Sequence, residues 1–399
     1  IVTAMADRDQ AIKHVLQSAF GHSGQKCSAT SLLLLEDEVF HDEAFRATLV
    51  DAAKSLKVGS AWDTSNRMGP MIAPPVGDLN QALKELETGE SWALIPRRID
   101  GHQAVYSPGI KWNVQRGSYT HLTEFFGPVL GVMCFRSLSE AIQIVNQTGY
   151  GLTSGLESLD DREQAEWMAG IRAGNLYMNR STTGAIVLRQ PFGGMGRSAF
   201  GPGIKAGGPN YVAQLMQFDD CPKSQTDASE RSDEPTDPAE TGGSIGTNDL
   251  SPDVGNRQLR DLAKALRGHS QGLGFGSDAE TQFLCQAIGS YQRAASEEFW
   301  QNHDHFRLLG QDNLRRYVPM PVLVIRVTEE DSWSEIVMRV AAAKAVNCRA
   351  IVSSPEGVHE DRLKVLHDMT ESWAADIEFV EQTNEELIDA VEWGGVSRL

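Results

Sequence analysis

The chain has 399 residues, 41% of them hydrophobic and 23% charged, with 54 acidic against 36 basic residues and a net charge of −18. That length allows two or three packed domains, and the charge argues against nucleic acid or an anionic membrane surface as a partner. No apolar run approaches the roughly 18–20 residues that span a bilayer, and the start, Ile1-Val2-Thr3-Ala4-Met5, lacks the basic and apolar regions of a signal peptide. It also lacks an initiator Met and reads as an interior cut. The five cysteines are widely spaced and form no C-x-x-C. This pattern fits a reduced, cytoplasmic protein, with no disulfide framework and no zinc or other metal site.

Residues 1 to about 222 alternate helix-like and strand-like segments. The most informative stretch is Gly24-Gln25-Lys26-Cys27-Ser28-Ala29, a turn between an apolar helical stretch and the apolar run 31–35. A lone cysteine reads as a small buried hydrophobe, whereas a thiol on a loop between two buried elements is placed to react. Such a thiolate can attack an aldehyde carbon, and a loop-to-helix turn offers backbone N–H groups to the oxyanion that develops.

Thr123-Glu124-Phe125-Phe126-Gly127-Pro128-Val129 comes next, with Gly127-Pro128 ending a loop and 129–135 reading as a strand. A carboxylate at a strand entrance can hold ribose hydroxyls, and an aromatic nearby can pack on a nicotinamide ring. By themselves, Glu124 reads as a solvated loop charge and Phe126 as core. Residues 138–145 read as a helix, and 146–155 as a helix-to-strand turn with Asn146 as its cap. Two glycine-bearing segments follow, at 174–179 and 191–198. A Gly/Ser loop with exposed N–H groups is an anion cradle, or simply a turn.

Residues 223–252, KSQTDASERSDEPTDPAETGGSIGTNDLSP, are acidic and nearly free of large apolar side chains. Such a stretch cannot bury enough surface to offset its ordering entropy, which predicts a flexible linker. From 253 to 399 the alternation resumes. The run 321–327 (PVLVIRV) reads as a strand buried on both faces. Helix 334–346 follows, with Ile336, Val337, Val340, Ala341 and Ala345 on one face. Strand 349–353, helix 359–374, strand 376–380 and helix 384–393 complete a βαβαβα order, which predicts a parallel sheet with helical crossovers. No G-x-G-x-x-G follows the first strand, so this domain is expected to bind no cofactor of its own. Residues 272–276 (GLGFG) read as a loop. Residues 394–399 carry no stop signal and read as a second cut.

Together, Gly-Gln-x-Cys at 24–27, Glu-x-Phe-Gly-Pro at 124–128, Asn-x-Thr-x-Tyr-Gly-Leu at 146–152 and Pro-Phe-Gly-Gly at 191–194 resemble the aldehyde dehydrogenase superfamily in order and spacing. The resemblance covers residues 1 to about 218. It implies an α/β catalytic domain, here 1–222, with its nucleotide domain largely missing, and NAD as cofactor. It also implies Cys27 as nucleophile with its own N–H in the oxyanion hole, Glu124 on the nicotinamide ribose and Phe126 at the nicotinamide end.

Phe192-Gly193-Gly194, Ser198 and Lys205-Ala206-Gly207-Gly208-Pro209-Asn210-Tyr211 are similar to the aldehyde-anchor loop of L-glutamate γ-semialdehyde (pyrroline-5-carboxylate) dehydrogenases. There, loop amides and serines hold the substrate's α-carboxylate. That likeness implies Ser28, Ser198, the Ala199 N–H and Phe192 as substrate contacts. The loop is longer than the shortest versions, through Ala199-Phe200 and Gly203-Ile204. A dehydrogenase module, a linker and a further α/β domain also resemble the proline utilization A enzymes, in which an upstream barrel oxidises proline with FAD.

The implied partner is thus a proline dehydrogenase domain upstream in the same parent chain. Residues 253–399 would be a Rossmann-like domain without a nucleophile, and a homo-oligomer stays open. The family's general-base glutamate, oxyanion asparagine and adenosine-ribose lysine have no matching position here. The chain alone should therefore be inactive. Two alternatives remain: another aldehyde specificity, and an assembly or active-site-covering role for 253–399.

Overall fold

The computed structural model describes residues 1–99, 101–186, 189–199, 204–217, 252–269, 277–393 and 399. The chain divides into two units, Ile1–Thr247 and Asn248–Leu399. The division falls within the stretch expected to be a linker, whose residues 223–251 lie outside the described ones, as do 272–276 and 394–398. Among the described residues no helix is long and apolar enough to cross a membrane.

The first unit is built on four strands, β1 (Leu32–Glu36), β2 (Ser91–Leu94), β3 (Gly109–Trp112) and β4 (Val129–Phe135), ordered β1-β4-β3-β2. β1, β4 and β3 run parallel, and β2 is an antiparallel edge. The unbroken leucine run of β1 follows from burial on both faces. Leu33 and Leu35 pack with Ile12 and Val15 of α1 (Arg8–Phe20), while Leu34 joins Met133 and Phe135 in a separate cluster.

Short helices α2 (Asp37–Phe40), α3 (Glu43–Lys54), α4 (Gly77–Ala82) and α5 (Tyr119–Leu122) fill the connections, and α6 (Leu138–Gln147) follows β4. A second group of strands comprises β5 (Tyr150–Gly151), β6 (Thr153–Leu156), β7 (Asn175–Met178) and β8 (Met195–Gly196). β6 and β7 are parallel across the crossover helix α7 (Asp161–Gly170), whose Trp167 is fully buried, and β5 pairs with β8 antiparallel.

The second unit opens with α8 (Pro252–His269) and α9 (Asp278–Ala294). The expected βαβαβα order follows as β9 (Val322–Arg326), α10 (Trp333–Ala345), β10 (Arg349–Ser354), α11 (Glu360–Met369), β11 (Ile377–Glu381) and α12 (Asn384–Glu392). The sheet is parallel, in the order β11-β10-β9. Ile336, Val337, Val340, Ala341 and Ala345 are all buried, as the helical spacing predicts. Reciprocal capping boxes, Ser332 with Glu335 and Thr383 with Glu386, start α10 and α12. One segment differs from expectation: the helix predicted to reach 374 stops at Met369. The Thr370 hydroxyl bonds back to Leu366 O (2.8 Å), and a 3₁₀ turn with Ala374 at φ 48° follows.

Candidate active site

Cys27 is exposed on the turn between α1 and β1, so it is no core filler; Cys134, Cys285 and Cys348 are unpaired as well. Three consecutive left-handed residues, His22, Ser23 and Gly24, reverse the chain after α1. The helix therefore precedes the cysteine turn and a strand follows it, which corrects the expected loop-to-helix geometry. The backbone amides around Cys27 thus belong to a turn and not to a helix N-terminus. The Cys27 N–H makes no hydrogen bond among the described residues.

Two contacts lock this turn to the Glu124 loop. At Gly24, with φ +69°, an added Cβ would lie 2.2 Å from Gly127 O, so the two backbones meet with no room for a side chain. Gln25, two residues before Cys27, spans the gap. Its Nε2 donates to Phe126 O (3.1 Å) and its Oε1 accepts from the Ile72 N–H (2.8 Å). Sequence reasoning gave Gln25 no task, because both partners are remote along the chain.

In the Glu124 loop the buried aromatic is Phe125, which packs on Tyr119 (5.5 Å between centroids) and lies under the Lys111 ammonium (5.6 Å). Phe126 is 44% exposed and sits at φ 56°, strained for a bulky residue, so the reading of Phe126 as core does not hold. Glu124 is exposed too, and its carboxylate has no partner among the described residues. An unengaged carboxylate beside an exposed ring fits a ligand that carries hydroxyls and a planar heterocycle.

The remaining motifs join through β7. The Thr182 hydroxyl donates to Ser28 O (2.8 Å) and pairs with the Thr30 hydroxyl (3.1 Å), which ties the segment after β7 to the cysteine turn. Ser28 is itself buried. Burial first pushes the Tyr177 phenol up, Arg180 opposes, and charge on Cys27 adds to the rise. β7 thus lies within electrostatic reach of Cys27.

At the start of β7, Asn175 donates to Pro191 O (3.0 Å) and accepts from the Gly193 N–H (3.1 Å). Phe192 forms a two-bond antiparallel bridge with Ala206. The Lys205 ammonium donates to Gly174 O and to Gly193 O (2.9 Å). The Ser198 hydroxyl accepts from the Gly151 N–H of β5 (3.1 Å), and the Ala199 N–H donates to Gly196 O within the loop (3.0 Å), so both groups are engaged. Asn146 does not cap α6. It braces the turn after α7, bonding Gly170 O and the Arg172 N–H.

An exposed thiol whose amide is unbonded among the described residues, locked against a carboxylate–aromatic loop on an α/β frame, is suited to aldehyde chemistry. The chain belongs to the aldehyde dehydrogenase family, whose model matches residues 1–220. Over 220 residues it is 36% identical to the 1-pyrroline-5-carboxylate dehydrogenase of Bacillus subtilis (strain 168), covering 54% of this chain and 42% of that protein. The enzyme of that name from Geobacillus sp. (strain WCH70) is 34% identical over the same shares. Among solved structures it is similar to proline utilization A (PutA) from Corynebacterium freiburgense, with a TM-score of 0.68 and 32% identity over 96% of this chain and 36% of that chain. The chain thus spans about two fifths of the curated relatives it matches.

Proposed function

We propose that this chain is part of a proline utilization A-type protein, and that its dehydrogenase site oxidises L-glutamate γ-semialdehyde to L-glutamate with NAD⁺. The carrying observation is the exposed Cys27, its N–H unbonded among the described residues, locked by Gly24 and Gln25 to the Glu124–Phe126 loop. The likeness to pyrroline-5-carboxylate dehydrogenases over residues 1–220, and to PutA over nearly the whole chain, supports the choice of substrate.

In this reading the Cys27 thiolate attacks the aldehyde carbon, forming the C–S bond. The former carbonyl oxygen takes the negative charge and meets the Cys27 N–H. When bound, NAD⁺ supplies the hydride acceptor that turns this adduct into a thioester. Glu124 would hold the nicotinamide ribose and Phe126 would contact the nicotinamide end. Water then adds to the acyl carbon, its proton going to a base outside this chain, and the C–S bond breaks to release L-glutamate and the thiolate. Phe192 would line the aldehyde pocket, with Ser28, Ser198 and Ala199 near the substrate carboxylate. FAD would serve a proline dehydrogenase domain upstream in the same parent chain. Residues 253–399 would be non-catalytic.

The test uses the full-length protein with pyrroline-5-carboxylate and NAD⁺, following NADH formation in wild type and Cys27→Ala. Turnover that vanishes in the variant is expected. Turnover that survives would remove Cys27 as nucleophile, and turnover of simple aldehydes without this substrate would remove the substrate assignment.

A further inference from the structure

Lys111 is a cation that the mechanism above does not use, and it is buried against the loop that carries Glu124 and Phe126. It stands on β3 with 2% of its surface exposed, cross-strand from Trp92 of β2. Its ammonium lies over the rings of Trp92 (5.7 Å) and Phe125 (5.6 Å). It also donates to the Thr120 hydroxyl (3.2 Å) and faces the Glu90 carboxylate (3.5 Å). Glu90 Oε2 accepts from the Glu87 N–H (3.0 Å), and the Glu87 carboxylate accepts from the Thr120 N–H (3.4 Å). The network therefore closes on the start of α5, the helix that leads into the Glu124 loop.

As a source of stability this pair is poor. A buried ion pair repays its loss of water only with close geometry and every polar atom satisfied. Here the ions stand 3.5 Å apart, and Glu90 Oε1 is buried with no hydrogen-bond partner. An apolar pair of similar volume would hold the strands together as well. What apolar side chains would not supply is the attraction of a desolvated cation for the Phe125 ring.

Phe125 is where that attraction reaches the site. It is buried, whereas Glu124 before it and Phe126 after it are exposed. The three are consecutive, so holding Phe125 inward sets the direction in which both neighbours leave the loop. Phe126 at φ 56° is a conformation that persists only where its surroundings over-determine it. Gln25 holds the Phe126 carbonyl, and Lys111 holds the ring of the residue before it.

We infer that Lys111, paired with Glu90, is a positioning residue: through Phe125 it fixes the aim of Glu124 and Phe126 and so sets the affinity for the dinucleotide. This rests on the reading of Glu124 and Phe126 as nicotinamide-side contacts given above.

The test uses the full-length protein, with NAD⁺ binding measured by titration calorimetry alongside steady-state kinetics. The decisive variant is Lys111→Met combined with Glu90→Leu, which replaces the pair by apolar side chains and strands no charge. Its Kd for NAD⁺ should rise at least about fivefold. The KM for NAD⁺ should rise in step, while the KM for the semialdehyde stays within about twofold of wild type. A merely structural pair would leave the folded double variant with wild-type affinity, and a Kd within about twofold of wild type would overturn the inference.

Thr120→Val removes the hydroxyl that anchors the ammonium, leaves both ions in place, and serves if the double variant does not fold. It should raise the Kd at least about twofold, and a Kd equal to that of wild type would overturn the inference. Glu124→Ala separates this proposal from the reading beneath it. If Glu124→Ala binds NAD⁺ as tightly as wild type, the Glu124 loop does not hold the cofactor and both fall. If it binds more weakly and the Lys111 and Thr120 variants do not, the positioning role alone is refuted.

Discussion

Gly24→Ala tests whether the Cys27 turn and the Glu124 loop are packed as described. The new Cβ would lie 2.2 Å from Gly127 O, 2.7 Å from Gly127 C and 3.0 Å from Ala19 O. All three are backbone atoms, so no side chain can swing away. Relieving the contact requires the two loops to part by about 1 Å, the gap to an ordinary carbon–oxygen separation. Alanine at φ +69° adds roughly 1–2 kcal/mol of backbone strain. Parting the loops also stretches the Gln25–Phe126 bond, worth about 1 kcal/mol.

The variant should lose roughly 2–3 kcal/mol in urea unfolding. With Cys27 and the Glu124 loop in their proposed roles, a misplacement of about 1 Å between them should lower kcat/KM by about a hundredfold. The assay is steady-state NADH formation by the full-length enzyme alongside denaturation of the same sample. Gly21→Ala is the control, since an added Cβ there meets nothing within 4 Å and φ is −54°. A Gly24→Ala enzyme with wild-type unfolding and kcat/KM within about threefold of wild type would refute this packing.

Lys111 and Glu90 form a buried pair at 3.5 Å, with side chains 3% and 0% exposed. Lys111→Met should destabilise by about 3–5 kcal/mol by stranding Glu90, and adding Glu90→Leu should recover at least half, measured as a double-mutant cycle in urea. Ser332→Ala removes the capping box of α10 and should lower the stability of the second unit by about 1 kcal/mol by circular dichroism. Lys205 falls from 10.5 to about 8 on folding, so between those values the unfolded chain binds more protons. Stability should therefore rise with pH through that window, and Lys205→Met should lack the rise. After allowance for partial exposure the difference is on the order of 2 kcal/mol, read from urea midpoints at the two ends of the window.

Local pattern made much of this protein legible. The apolar runs became β1, β4 and β9 because strands covered on both faces need no alternation. The spacing of Ile336, Val337 and Val340 became the buried face of α10. Cys27 stood out because Gly and Ser around it mark a turn. Where the reading strayed, the deciding contact was remote or competed with propensity. The end of α11 turned on one hydroxyl, that of Thr370 bonding back into the helix. Asn146 found partners 24 and 26 residues away instead of capping its own helix. The choice between Phe125 and Phe126 as the core aromatic rested on Tyr119 and Lys111, which no motif connects to them.

Sequence by itself determined the order and type of the main elements and the residue types available for chemistry, because both follow from short-range steric and hydrophobic periodicity. Tertiary structure alone decided which groups act together. Gln25 reaches Phe126 across 101 positions, Thr182 reaches Ser28 across 154, and Lys205 reaches Gly174 across 31. Such pairings depend on how packed elements bring distant loops to one place, and a hydrogen bond formed there leaves no period in the chain from which to read it.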